Sequence, residues 1–201
     1  IYGKAIEKGA RPYSIIDDNE YRFEIGTGYA FYPKNYDGKY HGRVTLEHAL
    51  GNSLNVPAVK ILEYVGVKPF TDMLTRDLGF RSQVPIESYQ YGIALGGLET
   101  DLLTLTHLLS VFGTNGAISP LSLWEDEGGS ADPLPPMDVA SSTQIFDPRY
   151  VALINSILTD RAIGVEQFGL TSNLAVAGEK IAVKTGTSRD YHDSWTVGWT
   201  P

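Results

Sequence analysis

Two short motifs in this 201-residue sequence hold the side chains that could carry chemistry. One is Ser53-Leu54-Asn55 and the other is Lys184-Thr185-Gly186-Thr187, so they begin 184 − 53 = 131 positions apart. A serine hydroxyl both donates and accepts hydrogen bonds, and a lysine carries positive charge, which together suit proton transfer beside an anionic group. Each motif alone is weak, because S-x-N is often a turn or cap and a strand lysine is usually solvated. A site therefore requires a fold that unites them.

The first motif is expected at a break between two helices. Thr45 is typical of an N-cap and predicts a short helix through Leu50, which residues 51–55 then interrupt. Pro57 suits the first turn of the next helix, where its missing N–H is not needed. An apolar face at helical spacing predicts that this second helix continues until Gly66.

The second motif is expected on a strand of a hairpin. Residues 181–187 read as one strand, and residues 188–193 form a polar turn. Trp195, Val197 and Trp199 then alternate with small or polar residues, which indicates a second strand. We expect Trp195 and Trp199 to share one face of that strand and to belong to the core.

The remaining chain is mainly helical. Helices are predicted over residues 1–8, 69–78 and 101–112, and a further one from Asp147-Pro148 to about residue 161. Thr100 is the expected cap of the third of these, whose buried face would be Leu102, Leu103, Leu105, Leu108 and Leu109. Helices in the middle and a sheet at the end indicate an α+β fold rather than repeating βαβ units.

The order of the motifs resembles that of the penicillin-binding proteins and serine β-lactamases, which carry S-x-x-K, an S-D-N type triplet and K-T-G. Residues 45–59 (TLEHALGNSLNVPAV) look like the second-motif region of class A penicillin-binding proteins, and residues 91–100 (YGIALGGLET) like the signature that follows. Residues 184–188 (KTGTS) resemble the third motif, and residues 32–38 (YPKNYDG) look most like 1C-type members. The resemblance implies the α+β penicillin-binding fold, with a helical lobe, an antiparallel sheet and the active site between them.

The activity that the resemblance implies is peptidoglycan D,D-transpeptidation. A serine attacks the D-Ala-D-Ala carbonyl of a stem peptide, releases the last D-Ala, and passes the acyl group to an amine of a second stem peptide. β-Lactam antibiotics would acylate the same serine. No cofactor is implied.

The resemblance also assigns roles to residues of this chain. Ser53 would relay a proton to the leaving nitrogen, and Asn55 would donate to the acyl amide carbonyl and hold the catalytic lysine. Lys184 would attract the substrate carboxylate, and Thr185 and Thr187 would donate hydrogen bonds to it. Gly186 would let the backbone approach the substrate closely, and the Thr187 N–H would contribute to an oxyanion hole.

The sequence departs from the family pattern at one point, because it contains no S-x-x-K motif. We expect the nucleophilic serine and its lysine to lie a few residues before Ile1, and the chain to represent a partial transpeptidase domain over residues 1–201 that lacks a C-terminal strand and helix. Such a fragment is expected to be inactive and poorly stable alone. The resemblance implies that the parent protein has an upstream glycosyltransferase domain and a membrane anchor. It also implies an extracytoplasmic location, in the periplasm or on the outer face of the cytoplasmic membrane.

Two other functions share these motifs. A serine β-lactamase would need a base to activate a deacylating water, and neither Glu87 nor Glu99 has the expected surroundings. A non-catalytic β-lactam sensor or a degenerate scaffold domain is the second alternative, since the S-x-x-K motif is missing.

Composition and residue spacing argue against several other kinds of function. The net charge of −8 argues against nucleic acid as a partner, since phosphate backbones bind clustered lysine and arginine. The sequence has no cysteine, and so no disulfide or thiolate chemistry, and no run of 18 or more apolar residues. The four histidines lack metal-ligand spacing, and the Gly96-Gly97 pair lacks the context of a phosphate loop, so neither a metal nor a nucleotide is predicted. Arg189, Asp190 and Asp193 beside the third motif are expected to be solvated turn residues.

Overall fold

The computed structural model describes residues 1–25, 28–121, 142–169, 171–176, 178–188 and 192–200. The sequence predictions for Arg189 and Asp190 lie outside these residues.

Helices make up most of the regular secondary structure in the described residues. The α-helices are α1 (Tyr2–Glu7), α2 (Leu46–Gly51), α3 (Asn55–Val65), α4 (Val67–Asp72), α5 (Leu102–Ser110), α6 (Pro148–Thr159) and α7 (Val165–Phe168). A π-helical turn, Met73–Asp77, continues α4, and a 3₁₀ segment spans Ile86–Leu95.

The strands among the described residues form four antiparallel pairs. Their bounds are β1 (Ile15–Asp18), β2 (Phe23–Ile25), β3 (Tyr29–Phe31), β4 (Gly42–Thr45), β5 (Ala117–Ile118), β6 (Thr143–Gln144), β7 (Ala182–Thr187) and β8 (Ser194–Trp199). The pairs are β1 with β4, β2 with β3, β5 with β6, and β7 with β8.

One hydrophobic core connects the helices to the β7–β8 hairpin. Buried side chains of α1, α2, α3, α4 and α6 form a single cluster that includes Ala182 of β7. The hairpin is also fixed by Asn155 of α6, whose side chain donates to the Phe112 carbonyl and accepts from the Trp199 indole N–H, both at 2.8 Å. The ring of Phe112 stacks on that of Trp199 with centroids 5.7 Å apart. The strand that carries Lys184 is thus held against the helical part of the molecule.

The helix boundaries confirm most sequence predictions around the two motifs. The Thr45 hydroxyl accepts from the His48 N–H and caps α2, and Asp147 caps α6 by accepting from the Arg149 N–H. Helix α3 ends at Val65, and Gly66 follows with a φ of 95°, which favours glycine. Trp199 packs against the core cluster, as expected for its face of β8.

Two predictions outside the motifs, both about α5, were wrong. The cap of α5 is Asp101, whose carboxylate accepts from the Thr104 N–H, and not Thr100. The expected leucine face of α5 is only partly buried: Leu102 and Leu103 are 56% and 52% exposed, whereas Leu105, Leu108 and Leu109 are half-buried. Helical spacing identified an apolar stripe there, but spacing does not say whether another element covers it. The predicted helix over residues 69–78 is confirmed, although it begins two residues earlier, at Val67, and ends in a π turn.

None of the helices in the described ranges is both long enough and apolar enough to cross a membrane.

Candidate active site

The turn between α2 and α3 presents Ser53. Its φ of 55° lies in the left-handed region, where a residue with a side chain is strained, so the surrounding contacts must hold it there. The N–H groups of Ser53 and Leu54 donate to the carbonyls of Leu50 and Ala49, at 3.1 and 2.9 Å. The turn therefore keeps the end of α2 and the start of α3 in a fixed relation.

Asn52 anchors this turn to α7 and to the segment before it. Its side chain is 1% exposed and donates to the Ile163 carbonyl at 2.8 Å, while its oxygen accepts from the Gln167 N–H at 3.1 Å. A buried amide with both donor and acceptor satisfied adds rigidity, because any shift of the turn would leave a polar group unpaired.

Lys184 of β7 reaches the same turn. Its Nζ donates to the Ser53 Oγ at 2.6 Å and to the Thr185 carbonyl at 2.7 Å. Burial of the ammonium lowers the pKa of Lys184 to about 8, because the charged form loses solvation. The fold thus joins two motifs that are 131 positions apart through one hydrogen bond between side chains.

The rest of the second motif extends away from this contact along β7. Thr185 is half-buried, whereas Gly186 and Thr187 are exposed. Within the described part of the chain, a methyl group added at Gly186 would meet no heavy atom within 4 Å. Beside the end of the strand, a methyl group at Gly96 would lie 3.6 Å from the Ser188 Cα, so the end of the 3₁₀ segment flanks the strand closely. The motif backbone is therefore accessible at Gly186.

Asn55 is the first residue of α3 and lies two positions after Ser53. Its side-chain Nδ2 donates to the Lys34 carbonyl at 2.8 Å. The structure therefore brings Ser53 and Lys184 together directly and places Asn55 at the adjoining helix start, where its amide contacts the loop before β4.

His41, His48 and His107 contact carboxylate or carbonyl oxygens. His48 Nε2 lies 3.2 Å from a carboxylate oxygen of Glu166, and His107 Nε2 lies 2.7 Å from the Ser119 carbonyl oxygen. His41 contacts the buried carboxylate of Asp18 at 2.7 Å. Across the described ranges, no three histidine or carboxylate side chains form a group suited to a metal ion.

The comparison with protein families identifies the chain. Residues 1–201 match the family model of the penicillin binding protein transpeptidase domain, which covers every residue of the sequence. The chain belongs to this family. Its relatives include penicillin-binding protein 1A of Neisseria lactamica, 30% identical over 210 residues, and that of Aquifex aeolicus, 31% identical over 205 residues. Each comparison covers 100% of this chain. It covers 25% of the Neisseria protein and 27% of the Aquifex protein, so the chain spans about a quarter of the length of these relatives.

Solved structures share the fold at lower identity. Penicillin-binding protein 1A of Haemophilus influenzae superposes with a TM-score of 0.72 at 19% identity, over 98% of this chain and 34% of that one. The apo transpeptidase domain of penicillin-binding protein 3 from Burkholderia pseudomallei gives 0.72 at 18% identity, over 100% of this chain and 64% of that one. The predicted α+β penicillin-binding fold is confirmed, and the 1C-type assignment stays a prediction.

Sequence reasoning missed the side chains that hold the site in place. Asn52, Asn155 and, as described below, Asn35 make their decisive contacts with residues 17 to 115 positions away. Asn35 and Asn52 fall in the sequence segments that carried the family resemblance, and that resemblance was the one available signal for them. A sequence segment alone does not show which distant residue an asparagine contacts.

Proposed function

We propose that this domain is the D,D-transpeptidase part of a cell-wall synthase, which crosslinks peptidoglycan stem peptides through a serine acyl-enzyme. The observation that carries the proposal is the 2.6 Å hydrogen bond from Lys184 Nζ to Ser53 Oγ. It unites the S-x-N and K-T-G motifs at one point, as acyl transfer by this family's motifs requires. The nucleophilic serine belongs to the S-x-x-K motif, which is not among these 201 residues.

In the proposed acylation step, the nucleophilic serine oxygen forms a bond to the carbonyl carbon between the two D-Ala residues. The C–N bond to the last D-Ala then breaks, and the nitrogen needs a proton before it leaves as an amine. Ser53 is suited to deliver that proton, since its hydroxyl can donate to the leaving nitrogen while it accepts a hydrogen bond from Lys184. The proton that the nucleophile gives up, taken by the S-x-x-K lysine, balances the one delivered.

Lys184 and the threonines after it are suited to bind the terminal carboxylate. With its pKa lowered to about 8, Lys184 still carries a positive charge in most molecules at neutral pH. Thr185 and Thr187 each add a hydroxyl donor along the strand, and the space beside Gly186 leaves room for a substrate backbone. The Thr187 N–H would serve the developing oxyanion together with the N–H of the nucleophilic serine.

Asn55 needs one rearrangement for its proposed role. Its Nδ2 contacts the Lys34 carbonyl, and it must exchange that bond for the acyl amide carbonyl and for the S-x-x-K lysine. The exchange is a rotation of the half-buried Asn55 side chain, so it does not require the helix to move.

The proposal extends to the full-length protein. We infer an upstream glycosyltransferase domain, a membrane anchor and a location on the outer side of the cytoplasmic membrane, supported by the short span of this chain on relatives named penicillin-binding protein 1A. The substrate is then the peptidoglycan stem peptide, and β-lactam antibiotics are substrate analogues that trap the acyl-enzyme.

Intact-mass analysis of the full-length protein after brief exposure to penicillin tests this function. A lasting adduct of one penicillin per chain supports a transpeptidase, and Ser53→Ala should slow its formation while the exposed-site control Ser156→Ala should not. Penicillin destroyed without an adduct would indicate a β-lactamase. A folded protein that leaves penicillin intact would indicate a scaffold domain, and a slow adduct without crosslinking of stem peptides would indicate a sensor.

A further inference from the structure

Helix α3, which begins directly after Ser53 and Leu54, receives its N-terminal cap from a distant residue. The first N–H groups of any helix lack partners within the helix, and Leu54 at the cap position has no side chain that can accept from them. Asn35 fills this role from the loop before β4. Its Oδ1 accepts from the Asn55 N–H at 2.9 Å and from the Val56 N–H at 3.1 Å.

The Asn35 side chain is itself held on its other side. Its Nδ2 donates to the Asp18 Oδ2 at 2.7 Å and to the Lys39 carbonyl at 2.8 Å. These four contacts match the chemistry of the amide, since its oxygen faces two N–H donors and its nitrogen faces two acceptors. Asn35 is 4% exposed, so water cannot readily replace these bonds.

Asp18 fixes this arrangement to the β1–β4 pair. It is the last residue of β1, is 0% exposed, and pairs with Gly42 of β4. Its Oδ2 also accepts from the His41 backbone N–H at 2.9 Å and contacts His41 Nδ1 at 2.7 Å. The far nitrogen of His41 lies 3.3 Å from the Asp37 carboxylate. Burial of a carboxylate is costly unless it is hydrogen-bonded, and these contacts to Asn35 and His41 offset that cost at Oδ2.

We propose that Asn35 is a positioning residue for acylation. It links the buried Asp18 to the start of α3 and so sets the place of Ser53 and Asn55 relative to Lys184. This inference rests on the proposed function. Its physical basis is that loss of the cap frees the first turn of α3, and a displacement of about 1 Å at a reacting group can lower a rate by about 100-fold.

The test compares three variants of the full-length protein with the wild type. Asn35→Ala removes the cap, and Asn35→Gln keeps both polar groups but lengthens the side chain by one methylene. Asn19→Ala is the matched control, because Asn19 is exposed and accepts from Lys60 Nζ in the middle of the same helix, at 2.6 Å. Acylation by a fluorescent penicillin is measured over a concentration series, which separates the limiting rate from the half-saturating concentration.

The inference predicts that Asn35→Ala lowers the limiting acylation rate by about 10- to 100-fold and changes the half-saturating concentration by less than about threefold. Asn19→Ala should acylate like the wild type. A purely structural role would lower the melting temperature of Asn35→Ala but leave the limiting rate of the folded fraction unchanged, and that result would overturn the inference.

Asn35→Gln covers the case in which Asn35→Ala does not fold. A folded Asn35→Gln protein with a reduced limiting rate supports the inference, and one with the wild-type rate overturns it. Hydrogen exchange on the wild type is an independent check, since the Asn55 and Val56 amides should be protected, and rapid exchange of both would overturn the inference. A wild-type protein that penicillin does not acylate would refute the proposed function itself, whereas an acylated wild type with an unaffected Asn35→Ala would refute only this inference.

Discussion

Acylation by a β-lactam should weaken as the pH rises through the pKa of Lys184. Burial lowers that pKa to about 8, so the folded protein loses the ammonium in a range where an exposed lysine would keep it. With a pKa of about 8, Lys184 is about 90% charged at pH 7 and about 10% charged at pH 9. If only the charged form binds the antibiotic carboxylate, the half-saturating concentration should rise about tenfold between these two pH values.

Stopped-flow acylation of the full-length protein at pH values from about 6.5 to 9.5 measures this effect. The change should appear in the half-saturating concentration, whereas titration of the S-x-x-K lysine affects the limiting rate. Lys184→Arg is the control, because a guanidinium stays charged throughout this range and should remove the rise. A half-saturating concentration that stays constant to pH 9, or a Lys184→Arg variant with the same rise, would refute the reasoning.

Two further predictions concern the packing that supports the site. Asn155→Ala should lower the free energy of unfolding by about 2–4 kcal/mol, because it leaves the Phe112 carbonyl and the Trp199 indole N–H without their partner. Urea denaturation measures this change, and a loss of less than about 0.5 kcal/mol would contradict the prediction. Gly51→Ala should cost about 1–3 kcal/mol in the same assay, because the added methyl would lie 2.5 Å from the Cγ2 of Ile163. A Gly51→Ala protein as stable as the wild type would show that Ile163 can move aside without cost.

The elements that carry the two motifs could be predicted from local sequence because their signals are strong and short-range. Thr45 caps α2, Gly66 ends α3, and the alternation of Trp195, Val197 and Trp199 gives β8, all within one or two residues. In each case a side chain or a backbone preference acts on its immediate neighbours, so no knowledge of the fold is required.

The contact between Ser53 and Lys184 could not be predicted from spacing. A separation of 131 residues carries no geometric information until the fold is known, and the expectation came from the resemblance of the motifs to a family. The supporting asparagines were missed for the same reason. Asn35 and Asn52 occur in loops and turns, where asparagine is common, and only their distant partners give them a role.

The failure at α5 has a different cause. Leucines at helical spacing predicted a buried face, yet Leu102 and Leu103 lie on the first turn and are more than half exposed. The apolar pattern of a helix reports which side can be buried, whereas burial itself depends on a neighbouring element that the pattern does not contain.

The most direct test of the account is a crystal structure of the full-length protein acylated by penicillin. The account predicts the antibiotic carboxylate within about 3.2 Å of the Thr185 or Thr187 hydroxyl, with Lys184 Nζ beside it and the Ser53 hydroxyl facing the former ring nitrogen of the β-lactam. An acyl group bound away from the junction of the α2–α3 turn and β7 would contradict it.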